Sequence, residues 1–162
     1  MKFMRKQSKT TSHAAPTASS IRLLHILVPF DFSEGAKLAL QHATAYARQF
    51  KARLTLLHVV HLPFHGIGFG PGEGAGMEGR LMAEMSKHLS ALAEGLKRQG
   101  VPATAVVRLG YPGWDVVELA RLELIDLIIM GTHGRTGLKG ALIGSVAERV
   151  VRHAPCPVLV VR

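Results

Sequence analysis

Cysteine and long apolar runs are both scarce in this sequence. Cys156 is the single cysteine among 162 residues, so an intrachain disulfide is excluded, which fits a reducing compartment. No uninterrupted apolar run approaches the about 20 residues that a helix needs to cross a bilayer, so we expect no transmembrane segment and no membrane partner. With 48% apolar and 19% charged residues, the composition is that of a globular protein, and we expect it to be cytoplasmic.

The sequence is basic but lacks the patterns of nucleic-acid binding. Its formal net charge is +9, and four of its 20 lysines and arginines fall in residues 1–20, which contain no acid. The rest of the chain has no lysine- or arginine-rich run, no interleaved aromatics and no zinc-finger or RNA-binding motif. We therefore expect no specific nucleic-acid partner. A mildly basic surface still attracts anions such as nucleotide phosphates.

The first 20 residues differ in composition from the rest. Residues 1–20 are polar, basic and rich in Ser, Thr and Ala, and they lack the apolar segment of a secretory signal. We expect a disordered basic tail outside the fold, and an organellar transit peptide, which has a similar composition, is the alternative. Residues 21–162 are long enough to form a single domain with a sizeable core.

Short apolar stretches alternate with stretches of helical periodicity through this domain. The predicted strands are 22–28, 54–60, 103–108, 124–130 and 157–161. The predicted helices run from Ser33 to Phe50, from Met77 to Gln99, from Pro112 onward and from Gly144 to His153. The inner face of the third would carry Trp114, Val117 and Ala120–Arg121. This alternation predicts an α/β domain with a mainly parallel sheet. Ligands of such sheets bind beyond the carboxyl ends of strands, where the strand order reverses.

Glycine dominates residues 61–79, and we predict a long loop there. Within it, Gly74, Gly76 and Gly79 match the dinucleotide pattern G-x-G-x-x-G, but they lie too far beyond the preceding strand for that fold. We interpret the match as chance. The nearby histidines are His58, His61 and His65. Because no carboxylate or thiolate completes the set, we predict no metal site.

The stretch from Met130 to Val160 has the layout of a phosphate-binding segment: a strand, a glycine loop, a helix N-terminus and another strand. Phosphate binding needs glycines where the backbone must come close, and helix amides that point at the anion. Gly131, Gly134, Gly144 and Ser145 meet these needs, and Arg135 and Lys139 could add positive charge. Spacing alone leaves open that the glycines form only turns and a helix cap. No G-x-x-x-x-G-K-[ST] motif is present, which excludes a P-loop NTPase.

Gly131-x2-Gly134-x9-Gly144-Ser145, followed by PCPVLVV, resembles the ATP-binding motif of the universal stress protein family. ILVPFDFSEGAKLAL resembles that family's first strand and helix, LTLLHVV its second strand and GYP its turn before the third helix. The resemblance covers about residues 20–162. It implies an open five-stranded, mainly parallel sheet of order 3-2-1-4-5 with helices on both faces, a Rossmann-like nucleotide-binding architecture.

The resemblance also implies an adenine-nucleotide site. Its residues would be Pro29, Phe30, Asp31, Val59, Met130, Gly131, His133, Gly134, Arg135, Gly144, Ser145 and Val146. Asp31 would contact the ribose or adenosine side, the backbone of Val59 the adenine, and the glycine motif the phosphates of ATP. Mg or Mn would be held through those phosphates, without protein ligands. In this sequence Phe30 replaces an expected small polar residue, and Ala147 lacks a hydroxyl that some members have.

Asp31 is the only acid that we expect near the implied site, and the resemblance assigns it to binding. With no further group to act as the base that a hydrolase needs, we assign no catalytic residue. We expect a nucleotide-dependent regulatory or stress-response protein with slow or no ATP hydrolysis. Two alternatives stay open: a dimeric interaction module that binds no nucleotide, and a slow nucleotide hydrolase that depends on Asp31. The apolar final strand, Pro157 to Val161, would lie at a sheet edge, and the resemblance implies a homodimer through it.

Overall fold

The computed structural model describes residues 22–61, 73–134 and 143–162, with side chains in the second range from Gly76 onward. The predicted tail, His65, Arg135 and Lys139 lie outside the described residues. Strands and helices alternate through the described ranges. They are β1 (His25–Pro29), α1 (Glu34–Phe50), β2 (Arg53–Val60), α2 (Glu73–Arg98), β3 (Ala103–Leu109), α3 (Pro112–Leu122), β4 (Leu127–Gly131), α4 (Ser145–His153) and β5 (Val158–Val161).

The strands form one parallel sheet in the order β3-β2-β1-β4-β5, which confirms the predicted architecture. β1 lies at the centre and pairs with β2 on one side and β4 on the other. The chain order therefore reverses between β1 and β4, and their carboxyl ends open side by side. A crevice at that position is where ligands bind in sheets of this kind.

Helices cover both faces of the sheet because the strands are apolar on both faces. Along β1, Ile26 and Val28 belong to the core under α1 and α2, whereas Leu27 belongs to the core under α3 and α4. α1 lies close to the sheet through four alanines, Ala36, Ala39, Ala43 and Ala47, each at most 4% exposed. Small side chains on this face let the start of α1 approach the ends of the central strands. No helix of the described residues is both long and apolar enough to cross a membrane.

α2 begins earlier than the sequence indicates, so the predicted loop over residues 61–79 is wrong in its last seven residues. Gly74, Gly76 and Gly79 lie in the first turns of this helix rather than in a turn after a strand. Glycine has a low helix propensity, but propensity is only a weak predictor of structure. The long amphipathic segment that follows these glycines extends its helix back through them.

α3 buries part of the predicted face: Val117 and Ala120 are buried as expected, but Trp114 and Arg121 are exposed. Trp114 is 49% exposed, whereas Val116, Val117, Leu119 and Ala120 are buried. The apolar character of tryptophan suggested an inward position, but its ring lies on the surface beneath the guanidinium carbon of Arg149, 5.1 Å from the ring centroid. The predicted fourth strand also starts too early, because Leu124 is an exposed turn residue with φ of 50°.

Candidate functional site

The carboxyl ends of β1 and β4 and the start of α4 open onto one cavity of about 540 Å³. The predicted site residues found in its lining are Pro29, Phe30, Asp31, Val59, Met130, Gly131, His133, Gly134, Gly144, Ser145 and Val146. Arg135, the remaining predicted residue, lies outside the described part of the chain. Pro29 and Val146, which are 117 positions apart in the sequence, thus line one space.

Asp31 lies in the connection between β1 and α1. Its Oδ1 accepts hydrogen bonds from the amide of Ser33 at 3.1 Å and from the Ser33 hydroxyl at 2.6 Å. Ser33 is the N-cap of α1, and its Oγ also accepts from the amide of Ala36 at 3.2 Å. The positive end of the α1 dipole therefore lies beside the Asp31 carboxylate, which stabilises a negative charge there.

Glycines allow β4 and α1 to meet backbone to backbone. A Cβ on Gly131 would lie 2.8 Å from the carbonyl carbon of Gly35, and a Cβ on Gly35 would lie 2.9 Å from the carbonyl oxygen of His133. Neither position has room for a side chain, since the opposing atoms belong to the main chain. A Cβ on Gly134 would lie 2.6 Å from Oδ2 of Asp31, so the carboxylate reaches across to the loop that follows β4.

The start of α4 presents backbone amides to the cavity. Gly144 is its N-cap, has extended backbone geometry, and supplies no side-chain capping group. Its amide donates to the carbonyl of Thr132 at 2.8 Å, which ties the helix start to the end of β4. The first amides of a helix have no acceptor within the helix, and the helix dipole there favours anions. The arrangement is suited to a phosphate group.

The other end of the cavity is lined mainly by apolar side chains, with Glu84 among them. Val60, Val116 and Met130 are each at most 5% exposed, and Leu81 and Met85 of α2 complete this wall. A flat aromatic ring is the kind of group that such a slot holds. One end of the cavity is thus suited to a base and the other to an anion.

Glu84 of α2 also lines the cavity, and sequence analysis missed it. The expectation that Asp31 is the only acid near the site is therefore wrong. The position of α2 over the end of β2 is set by tertiary packing, which no local pattern reveals. The available signal was that Glu84 lies between Leu81 and Met85 on one face of a helix.

Among the described residues, the histidines that line the cavity are His58, His61 and His133. His58 Nδ1 lies 2.7 Å from the carbonyl oxygen of Phe30, and His133 Nδ1 lies 3.0 Å from Thr132 Oγ1. Within the described ranges, no three or more His, Cys, Asp or Glu side chains are arranged to hold a metal ion.

Comparison with known proteins gives a consistent result. The family model described as universal stress protein family matches residues 23–162. Universal stress protein MJ0531 of Methanocaldococcus jannaschii is 38% identical over 143 residues, and the match covers 85% of this chain and 81% of that protein. Universal stress protein MJ0577 of the same organism is 32% identical, with coverage of 88% of this chain and 97% of that protein.

Solved structures agree with these matches. The structure of MJ0577 superposes with a TM-score of 0.78 at 33% identity, covering 87% of this chain and 96% of that chain. A universal stress protein solved in complex with cAMP superposes with a TM-score of 0.65, covering 87% and 98%. At 24% identity, this second structure shows the shared fold alone. The family model and the two archaeal relatives span nearly the whole described domain, and the chain belongs to the universal stress protein family.

Proposed function

We propose that the cavity binds ATP and that the protein is a nucleotide-dependent regulator in a stress response, with slow or no hydrolysis. The adenine would lie in the apolar end near Val59, the ribose beside Asp31, and the triphosphate against the Gly131–Gly134 loop and the start of α4. Arg135 would add positive charge, and Mg or Mn would be held by phosphate oxygens. The protein would act in the cytoplasm.

The observation that carries this proposal is the division of one cavity into an apolar end and an amide-lined end. A nucleotide has the same division, with a flat base at one end and phosphates at the other. The Asp31 carboxylate lies between these ends at the strand-order reversal and can accept hydrogen bonds from ribose hydroxyls. Phe30 does not block this arrangement, because its side chain is 4% exposed and packs into the core under α1.

We expect slow or absent hydrolysis because neither acid in the described lining, Asp31 or Glu84, lies at the phosphate end in this proposal. Hydrolysis needs a base that orients water in line with the terminal phosphate. Asp31 is placed at the ribose in this proposal, and its Oδ1 already accepts two hydrogen bonds from Ser33. If the protein is instead a slow hydrolase, steady-state turnover will be measurable and will be lost in Asp31→Asn.

Calorimetry with ATP, with and without Mg, tests the proposal directly. Gly144→Val should abolish binding, since its Cβ would lie 3.1 Å from the carbonyl oxygen of Thr132 and its methyl groups would crowd the helix amides. The matched control is Gly79→Val in α2, where an added Cβ meets no described atom within 4 Å. No binding of millimolar ATP by the wild type would favour the alternative of an interaction module without nucleotide.

A homodimer through β5 is part of the same proposal. β5 is an edge strand, and Val158, Leu159 and Val160 are half-buried in one subunit. Edge strands pair with other strands unless charges prevent it. Val160 belongs to neither core cluster, so Val160→Lys should preserve folding and yield a monomer by light scattering. A monomeric wild-type protein at micromolar concentration would contradict the dimer.

A further inference from the structure

A buried histidine holds the segment that carries Asp31 in place. His58 of β2 is 6% exposed and lies 27 positions beyond Asp31 in the sequence. Its Nδ1 is 2.7 Å from the carbonyl oxygen of Phe30. Because a carbonyl oxygen only accepts, Nδ1 carries the proton and donates it. The Phe30 amide donates in turn to the Leu57 carbonyl at 2.8 Å, so both backbone groups of Phe30 are tied to β2.

The same histidine ring also contacts the residue that follows Asp31. Phe32 has φ of 67°, a left-handed conformation that a bulky residue rarely adopts. Its ring centroid lies 5.1 Å from that of His58 and 5.2 Å from that of Phe30. Such a backbone conformation persists only where surrounding contacts enforce it. The ring of His88 in α2 lies 6.3 Å from that of Phe32, so the rings of Phe30, His58 and His88 surround this side chain.

Asp31 is therefore fixed through both of its neighbours. His58 donates to Phe30 on one side and packs against Phe32 on the other. An apolar side chain would fill the same volume but would leave the Phe30 carbonyl without its donor. We propose that His58 is a positioning residue, which holds the Asp31 carboxylate in the orientation that the ribose hydroxyls require. This inference rests on the proposed nucleotide-binding function.

Two substitutions separate the contributions of His58. His58→Phe keeps a ring against Phe32 and removes the donor, whereas His58→Asn keeps an N–H near the Nδ1 position and removes the ring. The matched control is Thr55→Val on the same strand. Thr55 is 2% exposed, hydrogen bonds to His25 and Glu123, and does not line the cavity.

ATP affinity is measured by calorimetry in the wild-type and Asp31→Ala backgrounds. We expect His58→Phe to weaken ATP binding about tenfold with Asp31 present and less than about twofold in the Asp31→Ala background. A residue that acts only through Asp31 has little effect once Asp31 has been removed. His58→Asn should give an intermediate loss. Thr55→Val should lower Tm and leave affinity unchanged. Equal losses in both backgrounds, or no loss, would overturn the positioning role.

A second measurement needs no nucleotide. The Ser33 amide donates to Asp31 Oδ1, so its hydrogen exchange, followed by NMR, reports how well the carboxylate is held. We expect faster exchange in His58→Phe and wild-type exchange in Thr55→Val. Unchanged exchange in His58→Phe would refute the inference. If the wild type binds no ATP, the proposed function fails while this measurement still decides whether His58 positions Asp31.

Discussion

Two buried histidines lie at opposite ends of the sheet and have very different surroundings. His25 begins β1 and is 5% exposed, and His58 lies near the end of β2 and is 6% exposed. His25 is enclosed by polar side chains at the amino ends of the strands. His58 lines the cavity at their carboxyl ends.

The amino end is closed by a hydrogen-bond network around His25. His25 Nδ1 lies 2.9 Å from the Arg53 guanidinium and 3.3 Å from the carbonyl oxygen of Glu123, and Nε2 lies 2.8 Å from Thr55 Oγ1. Thr55 Oγ1 then donates to the Glu123 carboxylate at 3.1 Å. Asp126 Oδ2 accepts from the amides of Leu24 and His25 at 2.8 and 2.9 Å, which joins β1 to the start of β4.

The carboxyl end is built in the opposite way. Main-chain contacts at Gly131 and Gly35 bring β4 and α1 together, and the polar groups beside them face a cavity. The amino end is thus closed by hydrogen bonds, whereas the carboxyl end opens onto the cavity to which we assign nucleotide binding. Substitutions at the amino end should lower stability and leave ATP affinity unchanged. Substitutions at the carboxyl end should change ATP affinity. They should lower stability only where the new side chain collides with main-chain atoms.

Gly131→Ala should have the largest effect. Its Cβ would lie 2.8 to 3.1 Å from three main-chain atoms of Gly35, so α1 must move away from β4. We expect a loss of about 3 kcal/mol in the free energy of unfolding and loss of ATP binding. Urea denaturation and calorimetry measure the two effects.

The control for Gly131→Ala is Gly79→Ala in α2. An added Cβ there meets no described atom within 4 Å, and alanine is favoured over glycine in a helix by up to about 1 kcal/mol. This variant should be slightly more stable than the wild type and should bind ATP normally. Normal ATP binding by Gly131→Ala would show that the close contact at the carboxyl end is not required for the site.

The contrast between the two ends also explains what the sequence could predict. The glycine motif is predicted from the sequence because it directly follows an apolar strand, whereas the role of Asp31 and the order 3-2-1-4-5 come from the family resemblance. Glu84 and the His58–Phe30 hydrogen bond were missed because they depend on how α2 and β2 are placed in space. The helical start of α2 was missed because its glycines favour a loop locally.

Asp126→Ala should have the next largest effect, at the amino end. It removes the acceptor of the Leu24 and His25 amides, of which the His25 amide is part-buried. We expect about 2 kcal/mol lower stability by urea denaturation and unchanged ATP affinity by calorimetry. Asp126→Asn keeps an oxygen acceptor and should lose less than half as much. A fall in ATP affinity in Asp126→Ala would mean that the two ends of the sheet are coupled.

Acidification should lower the stability of the protein through the amino end, by less than the substitution Asp126→Ala does. Burial, followed by the neighbouring Arg53 charge, lowers the pKa of His25 below 6.5, although Glu123 and Asp126 act in the opposite direction. The unfolded state then binds the proton more tightly than the folded state. The His25 contribution is therefore complete above about pH 6.5 and is lost as the pH falls through the lower folded pKa.

Urea denaturation at about pH 7.5 and about pH 5.5 measures this pH dependence. The wild type should be less stable at the lower pH, and His25→Asn should lose part of that difference whatever its stability at neutral pH. An identical pH dependence in His25→Asn would show that the stability loss arises from other groups.

Gly134→Ala should have the smallest effect on stability. It tests most closely whether the carboxyl end of the sheet differs in role from the amino end. Its Cβ would lie 2.6 Å from Oδ2 of Asp31, which is a side-chain atom and can turn aside, unlike the main-chain atoms that face Gly131. We expect unfolding free energy to change by less than about 0.5 kcal/mol. ATP affinity should fall about threefold, because the displaced carboxylate no longer meets the ribose. Combined with Asp31→Ala, the same substitution should have no further effect on affinity. A stability loss as large as that of Gly131→Ala would show that the two glycines serve the fold alike, and the carboxyl end would then share the structural role of the amino end.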